Sequence, residues 1–205
     1  MSKELTAQLT PAALSTSRPS IWLRTTGIVL AGSALVAVCA HVAVPLYFTP
    51  VPLSLAPFAV LLLGLLLTPR LAATTLAAYL AEGALGLPVF TPNPFIPTSL
   101  AHFYGPTAGY LLAYPLAAAL IALLFRRIQR NTQIKSGFVP AALSAAVGSF
   151  VILASGALWL AVFTHASAQS VLSLAVLPFL PGDALKVFAA AALASGFRRL
   201  RRTHE

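Results

Sequence analysis

Charge is scarce in this chain, and the scarcity excludes more than any motif does. Of 205 residues only 8% are charged and 59% are hydrophobic, with a mean hydropathy of +0.88; a soluble domain carries about 25% charged residues. A soluble globular protein is ruled out, and nearly the whole chain belongs in a lipid bilayer. Cysteine is almost absent too. The single Cys39 cannot form a disulfide framework within the chain and argues against a structural zinc site. It stands in mid-span among Ala and Val, where a free thiol behaves as a small core residue. His41, His102 and His165 have no metal-ligand spacing with one another, so no metal is expected. There is no G-x-x-x-x-G-K-[ST] phosphate loop and no Ser-His-acid or zinc motif, so neither catalytic residues nor a cofactor are expected. The two halves share no broken-helix pattern of the kind that marks secondary transporters. A substrate site in such a chain has no engine of its own, which implies a partner that supplies energy.

Bases outnumber acids, and the net charge is +9 with a pI near 10.7. In a soluble protein that would point to nucleic acid. Here the bases mark topology instead. Long apolar runs cover about 22–46, 55–68, 70–87, 106–126, 138–164 and 171–197. Thr68-Pro69-Arg70 divides the second run from the third, because proline starts helices and disfavours continuation of the one before it. Both are short against the roughly 20 residues a crossing needs. Lys3, Arg18 and Arg24 precede the first run, and Arg70 separates the second and third. Arg126, Arg127, Arg130 and Lys135 separate the fourth and fifth, and Arg198, Arg199, Arg201 and Arg202 follow the sixth. The alternate loops 45–55, 87–105 and 165–170 hold no Lys or Arg. The positive-inside rule then places both termini in the cytoplasm. The expectation is an all-α, multi-pass protein of the cell membrane with six transmembrane helices over 21–200. A mobile polar segment 1–20 and a basic tail 201–205 would flank them. No signal-peptide pattern opens the chain.

Loops one and three on the outer side are rich in proline and aromatics: Pro45-Leu46-Tyr47-Phe48-Thr49-Pro50-Val51-Pro52-Leu53, and Gly86 through Pro97. Proline stiffens a chain and lowers the entropy lost on ordering. Two readings fit: a lid over an amphipathic ligand, or an interfacial aromatic belt.

Lys186 is the one base outside these cytoplasmic positions. With Asp183 it forms an acid–base pair at i, i+3, on one helix face, inside an otherwise uncharged stretch. Each charge in a span costs about 2.5–3.5 kcal/mol on insertion scales, faces the protein interior and tends to mark a substrate path. A structural pair within one helix is the alternative, but a buried ion pair is weak evidence for stability. Pro181-Gly182 suggests a helix start, where a carboxylate is stabilised. Glu82, before Gly83 and Gly86, is expected to face water. Gly105-Pro106-Thr107-Ala108-Gly109-Tyr110 opens the fourth run with small residues that permit close helix approach. Gly27, Ala31, Ser33, Ala34 and Ala37 form a small-residue stripe on the first run, suited to internal packing or a membrane partner.

Five stretches in order carry a family resemblance. They are Phe48-Thr49-Pro50-Val51-Pro52-Leu53, Gly64-Leu65-Leu66-Leu67-Thr68-Pro69-Arg70, Gly86-Leu87-Pro88-Val89-Phe90, Gly105-Pro106-Thr107-Ala108-Gly109-Tyr110, and Pro178-Phe179-Leu180-Pro181-Gly182-Asp183-x-x-Lys186. Together they resemble BioY, the biotin-binding S components of energy-coupling factor (ECF) transporters. The resemblance implies a six-helix S-component fold and biotin capture from outside. It also implies a transmembrane coupling subunit and two cytoplasmic ATPase subunits as partners. Asp183 would accept from the ureido N–H groups, and Lys186 would donate to the ureido carbonyl. Asn93 and Tyr110 are candidates for further polar contacts, and Phe48 and Phe90 for covering the apolar body. The stripe on the first helix becomes the candidate coupling face. The chain departs from the family pattern in three places. Ser54-Leu55-Ala56 replaces Thr-Leu-Gln, Thr91 to Pro97 replaces a glycine-rich segment, and Ala108-Gly109 replaces Gly-Gly. An S component for another small vitamin, a proton-coupled porter relaying through Asp183 and Glu82, and a membrane-structural protein with Asp183 and Lys186 as a strut are the other readings.

Overall fold

Breaks in the apolar pattern become helix ends in the structure, a computed structural model that describes residues 21–92, 100–131 and 137–203. Helix α1 spans Ile21–His41, α2 Ala56–Leu66, α3 Pro69–Ala84, α4 Ala108–Asn131 and α5 Phe138–Thr164. Thr68 caps α3 by accepting from the Leu71 N–H at 3.3 Å, with Pro69 in the first turn, where its missing N–H is not needed. Two departures from an uninterrupted helical chain appear. Ala43–Val44 (β1) and Leu53–Ser54 (β2) pair antiparallel, Ala43 opposite Ser54 and Val44 opposite Leu53, so the first loop is a small ribbon. The last apolar run is broken: α6 (Ala168–Val171) leads into a π turn, Leu172–Val176, and α7 (Leu180–Thr203) follows at a bend of 46°. Pro178 and Pro181 flank that bend, where each lacks an N–H for a continuous ladder.

By length and composition α1, α4 and α5 suffice to cross a membrane, and the bent pair ending in α7 makes a fourth candidate span. Helices α2 and α3 have 11 and 16 residues. Helix α2 is sheathed by α1, α4, α5 and α7, and Ala59, Val60 and Leu61 are fully buried. A helix surrounded by protein need not match the bilayer's thickness, because its ends meet other backbone and side chains.

Helix alternation gathers Arg24, Arg70, Arg126, Arg127, Arg130, Arg198 and Arg199 at the end of the bundle away from the ribbon. Arg198 ties this end together. It donates to Gln129 Oε1 at 2.6 Å and to the Leu65 carbonyl at 3.3 Å, and it lies 4.2 Å over the Phe125 ring. Three helix ends are thereby joined by one guanidinium. One core cluster sits nearer this end, around Leu61, Leu65, Ile121, Phe125 and Ala194. The larger one lies toward the ribbon, around Val60, Tyr79, Tyr114, Ile152 and Phe179, and it contains the chamber described next.

Candidate functional site

Helix α7 begins at Leu180, and Asp183 falls in its first turn, beside the positive end of the helix dipole. One turn on, Lys186 Nζ donates to Asp183 Oδ1 at 3.2 Å, and the two side chains are only 9% and 15% exposed. Neither makes another side-chain hydrogen bond among the described residues. The lysine therefore keeps two N–H donors and the carboxylate most of its lone pairs. A strut meant only for stability would leave this capacity unmet at a cost. A pair awaiting a ligand requires it.

Both charges open into a chamber at the ribbon end of the bundle. Including its open mouth, the space is about 680 Å³. The ribbon supplies Val51, Pro52 and Ser54, α4 supplies Tyr110, Leu111 and Tyr114 with Thr107 just before it, and α5 supplies Ile152 and Leu153. Phe90, Thr91 and His102 form another wall, and Phe179 adjoins the charged pair. The lining is mostly apolar, with polar groups at a few fixed points.

Of the residues singled out from the sequence, Asp183, Lys186, Tyr110 and Phe90 all meet here. Phe90 is buried, edge-on to Tyr79 at 5.4 Å and to Phe103 at 5.5 Å. It rests on Gly83: a Cβ there would lie 2.1 Å from the Phe90 ring. Tyr110 lines the chamber with its ring, but its hydroxyl donates to the Ala175 carbonyl at 3.1 Å, so it braces the π turn. Phe48 does not line the chamber. The ribbon turns its tip outward, leaving Phe48 57% exposed, and Val51 takes the covering place. Asn93 lies outside the described residues.

Among the lining residues that escaped the sequence reading, two carry side chains with chemistry. Tyr114 stands four residues after Tyr110, on the same face, and its hydroxyl makes no hydrogen bond among the described residues. That spacing was a usable signal. His102, assigned to a loop, sits on a short 3-10 turn, Leu100–Phe103, and is 4% exposed. Glu82 corrects an expectation. It is half-buried and accepts from Ser33 Oγ at 2.5 Å, linking α3 to α1, and it does not line the chamber. The same bond divides the α1 stripe. Ser33 points inward and Ala37 is half-buried, whereas Gly27, Ala31 and Ala34 are exposed.

A family model described as the BioY family matches residues 7–203. The chain belongs to the BioY family. It is 34% identical over 161 residues to the "Probable biotin transporter BioY" of Pyrococcus horikoshii, covering 78% of this chain and 88% of that protein. It is 31% identical over 168 residues to the "Biotin transporter BioY" of Thermotoga maritima, covering 82% and 92%. A crystal structure described as the S-component for biotin from an ECF-type ABC transporter superposes with a TM-score of 0.78 at 23% identity, over 89% of this chain and 94% of that one. The BioY chain described here thus has the S-component fold, in a multi-pass membrane protein.

Proposed function

We propose that this BioY protein captures biotin with high affinity as the substrate-binding S component of an ECF-type transporter, and that it is not itself an enzyme. The observation that carries the reading is the Asp183–Lys186 pair, buried at the chamber with its remaining hydrogen-bonding capacity unmet. A ureido ring matches it. Its N–H groups donate to the Asp183 carboxylate, and its carbonyl accepts from Lys186, both charge-assisted bonds of the stronger kind. The apolar lining from Val51, Leu111, Ile152 and Phe179 suits a thioether body. The names carried by relatives support the same substrate.

The alternation of bases supports six membrane-crossing segments, both termini in the cytoplasm and the chamber facing outward across the cell membrane. Energy would come from a transmembrane coupling subunit and two cytoplasmic ATPase subunits. The exposed Gly27–Ala31–Ala34 face is the candidate contact for the coupling subunit. A proton relay through Asp183 and Glu82 is disfavoured, since Glu82 is bound to Ser33 away from the chamber.

Calorimetric titration of purified protein with biotin and a ureido-lacking analogue tests this reading. Wild type binds biotin and rejects the analogue. Asp183→Asn weakens biotin binding by about 10–100-fold, because the ureido N–H groups lose a charged acceptor (about 1.5–3 kcal/mol). A wild-type protein with no biotin-dependent heat or thermal shift would refute it.

A further inference from the structure

His102 Nδ1 is the one buried side-chain nitrogen or oxygen without a hydrogen-bond partner among the described residues. Buried polar atoms are satisfied in the great majority of cases, and an exception calls for a cause. The ring belongs to the chamber wall, and its orientation is held on two sides. Its Nε2 stands 3.3 Å from the Thr91 carbonyl. A carbonyl only accepts, so Nε2 carries the hydrogen. The ring also packs on Phe90 at 5.3 Å between centroids. What is left is an Nδ1 lone pair with no donor facing it among the described residues.

Among the residues lining the chamber the charges are few. Asp183 and Lys186 on α7 neutralise each other at 3.2 Å. Helix α4 contributes only the phenols of Tyr110 and Tyr114, α5 contributes Ile152 and Leu153, and the wall next to His102 contributes Phe90 and Thr91. A ligand carboxylate drawn inside would find no unpaired cation among the described lining residues. An imidazole can supply one by taking a proton at Nδ1, which then donates to the carboxylate while Nε2–H continues to donate to Thr91.

We infer that His102 holds the acidic end of the ligand, binding the carboxylate together with one proton, while the Asp183–Lys186 pair holds the ureido end. This rests on the biotin reading above. The proton comes from solvent to Nδ1; no covalent bond changes, and the net charge of the complex is conserved by the proton and the carboxylate entering together.

The test compares wild type, His102→Gln and His102→Asn by calorimetry near pH 8, in two buffers of different ionisation enthalpy, with biotin and biotin methyl ester. Glutamine places its amide near the Nε2 position and keeps the Thr91 contact but lacks the Nδ1 group. Asparagine places an amide near Nδ1 but cannot take the proton. Wild type takes up a proton with biotin and none with the ester. His102→Gln weakens biotin by about 10–100-fold, the range for a lost bond to a charged group, binds the ester within about twofold of wild type, and takes up no proton. His102→Asn retains more biotin affinity than His102→Gln and also takes up no proton. The inference is overturned if His102→Gln binds biotin as wild type does, if it weakens ester and acid equally, or if proton uptake persists in it. Wild type that binds neither ligand refutes the biotin reading instead.

Discussion

Two tyrosines one helical turn apart on α4 face the same chamber with different duties. Tyr110 rests its ring on Gly156, where a Cβ would lie 2.2 Å from it, and its hydroxyl is committed to Ala175 of the π turn. Tyr114 is buried and its hydroxyl is uncommitted among the described residues, so it is the phenol available to a ligand. The two Phe substitutions separate these roles. Tyr110→Phe removes a buried hydrogen bond worth about 1 kcal/mol and lowers the melting temperature of the unliganded protein by a few degrees. Tyr114→Phe leaves that temperature unchanged and weakens biotin about fivefold, a neutral hydrogen bond's share. Melting curves without ligand and titrations with it measure both effects. The assignment fails if Tyr114→Phe destabilises the empty protein while binding biotin normally. The asymmetry between the two is invisible in sequence, where either tyrosine reads as an aromatic body with a hydroxyl.

Among the elements, the end of α3 fixes the chamber's aromatic wall. Tyr79 donates to the Val89 carbonyl at 3.1 Å, and Gly83, one turn later, leaves the space that the Phe90 ring fills. Gly83→Ala would push Phe90 out of that seat toward the chamber. Overpacking of this kind costs about 1–3 kcal/mol, and the displaced ring should weaken biotin about tenfold or more. Gly27→Ala, which meets nothing within 4 Å, should change neither stability nor affinity. Unliganded melts and titrations of the two variants check the contrast. Much of this level was legible beforehand. Thr68-Pro69 announces a cap and a new helix, and Pro181-Gly182 announces the start that puts Asp183 in a first turn, because both are local chemistry. The ribbon and the π turn were not legible. Pro178 and Pro181 mark a break in the last run, but nothing in the apolar stretch 171–177 marks a π turn, and a two-residue strand pair leaves no periodicity. Phe48 was misplaced for the same reason, since which way a ribbon tip turns depends on its partner strand. His102 was missed because its neighbours in space, Phe90 and Thr91, are more than ten residues away in sequence.

At the scale of the molecule, the bundle shows an asymmetry between its fixed and its open sides. Helix α1 packs against α2 and α3 and turns Gly32, Ser33, Val36 and Ala40 inward, with the Ser33–Glu82 bond as its tie. Its other face presents Gly27, Ala31 and Ala34. In lipid there is no hydrophobic gain from covering such a face, and association depends on backbones approaching closely over small side chains. A large side chain there should leave the isolated protein intact and exclude a partner helix. Ala31→Trp is therefore expected to bind biotin within about twofold of wild type, because no residue of α1 lines the chamber. Together with a coupling subunit and two ATPase subunits in proteoliposomes, it should fail to copurify with them and lose ATP-driven biotin uptake. Leu158→Trp, at a 70% exposed position on α5, makes the same change on a different face and should keep both. Uptake by Ala31→Trp at the wild-type rate would show that α1 faces lipid, and coupling would then have to use a face built from other helices.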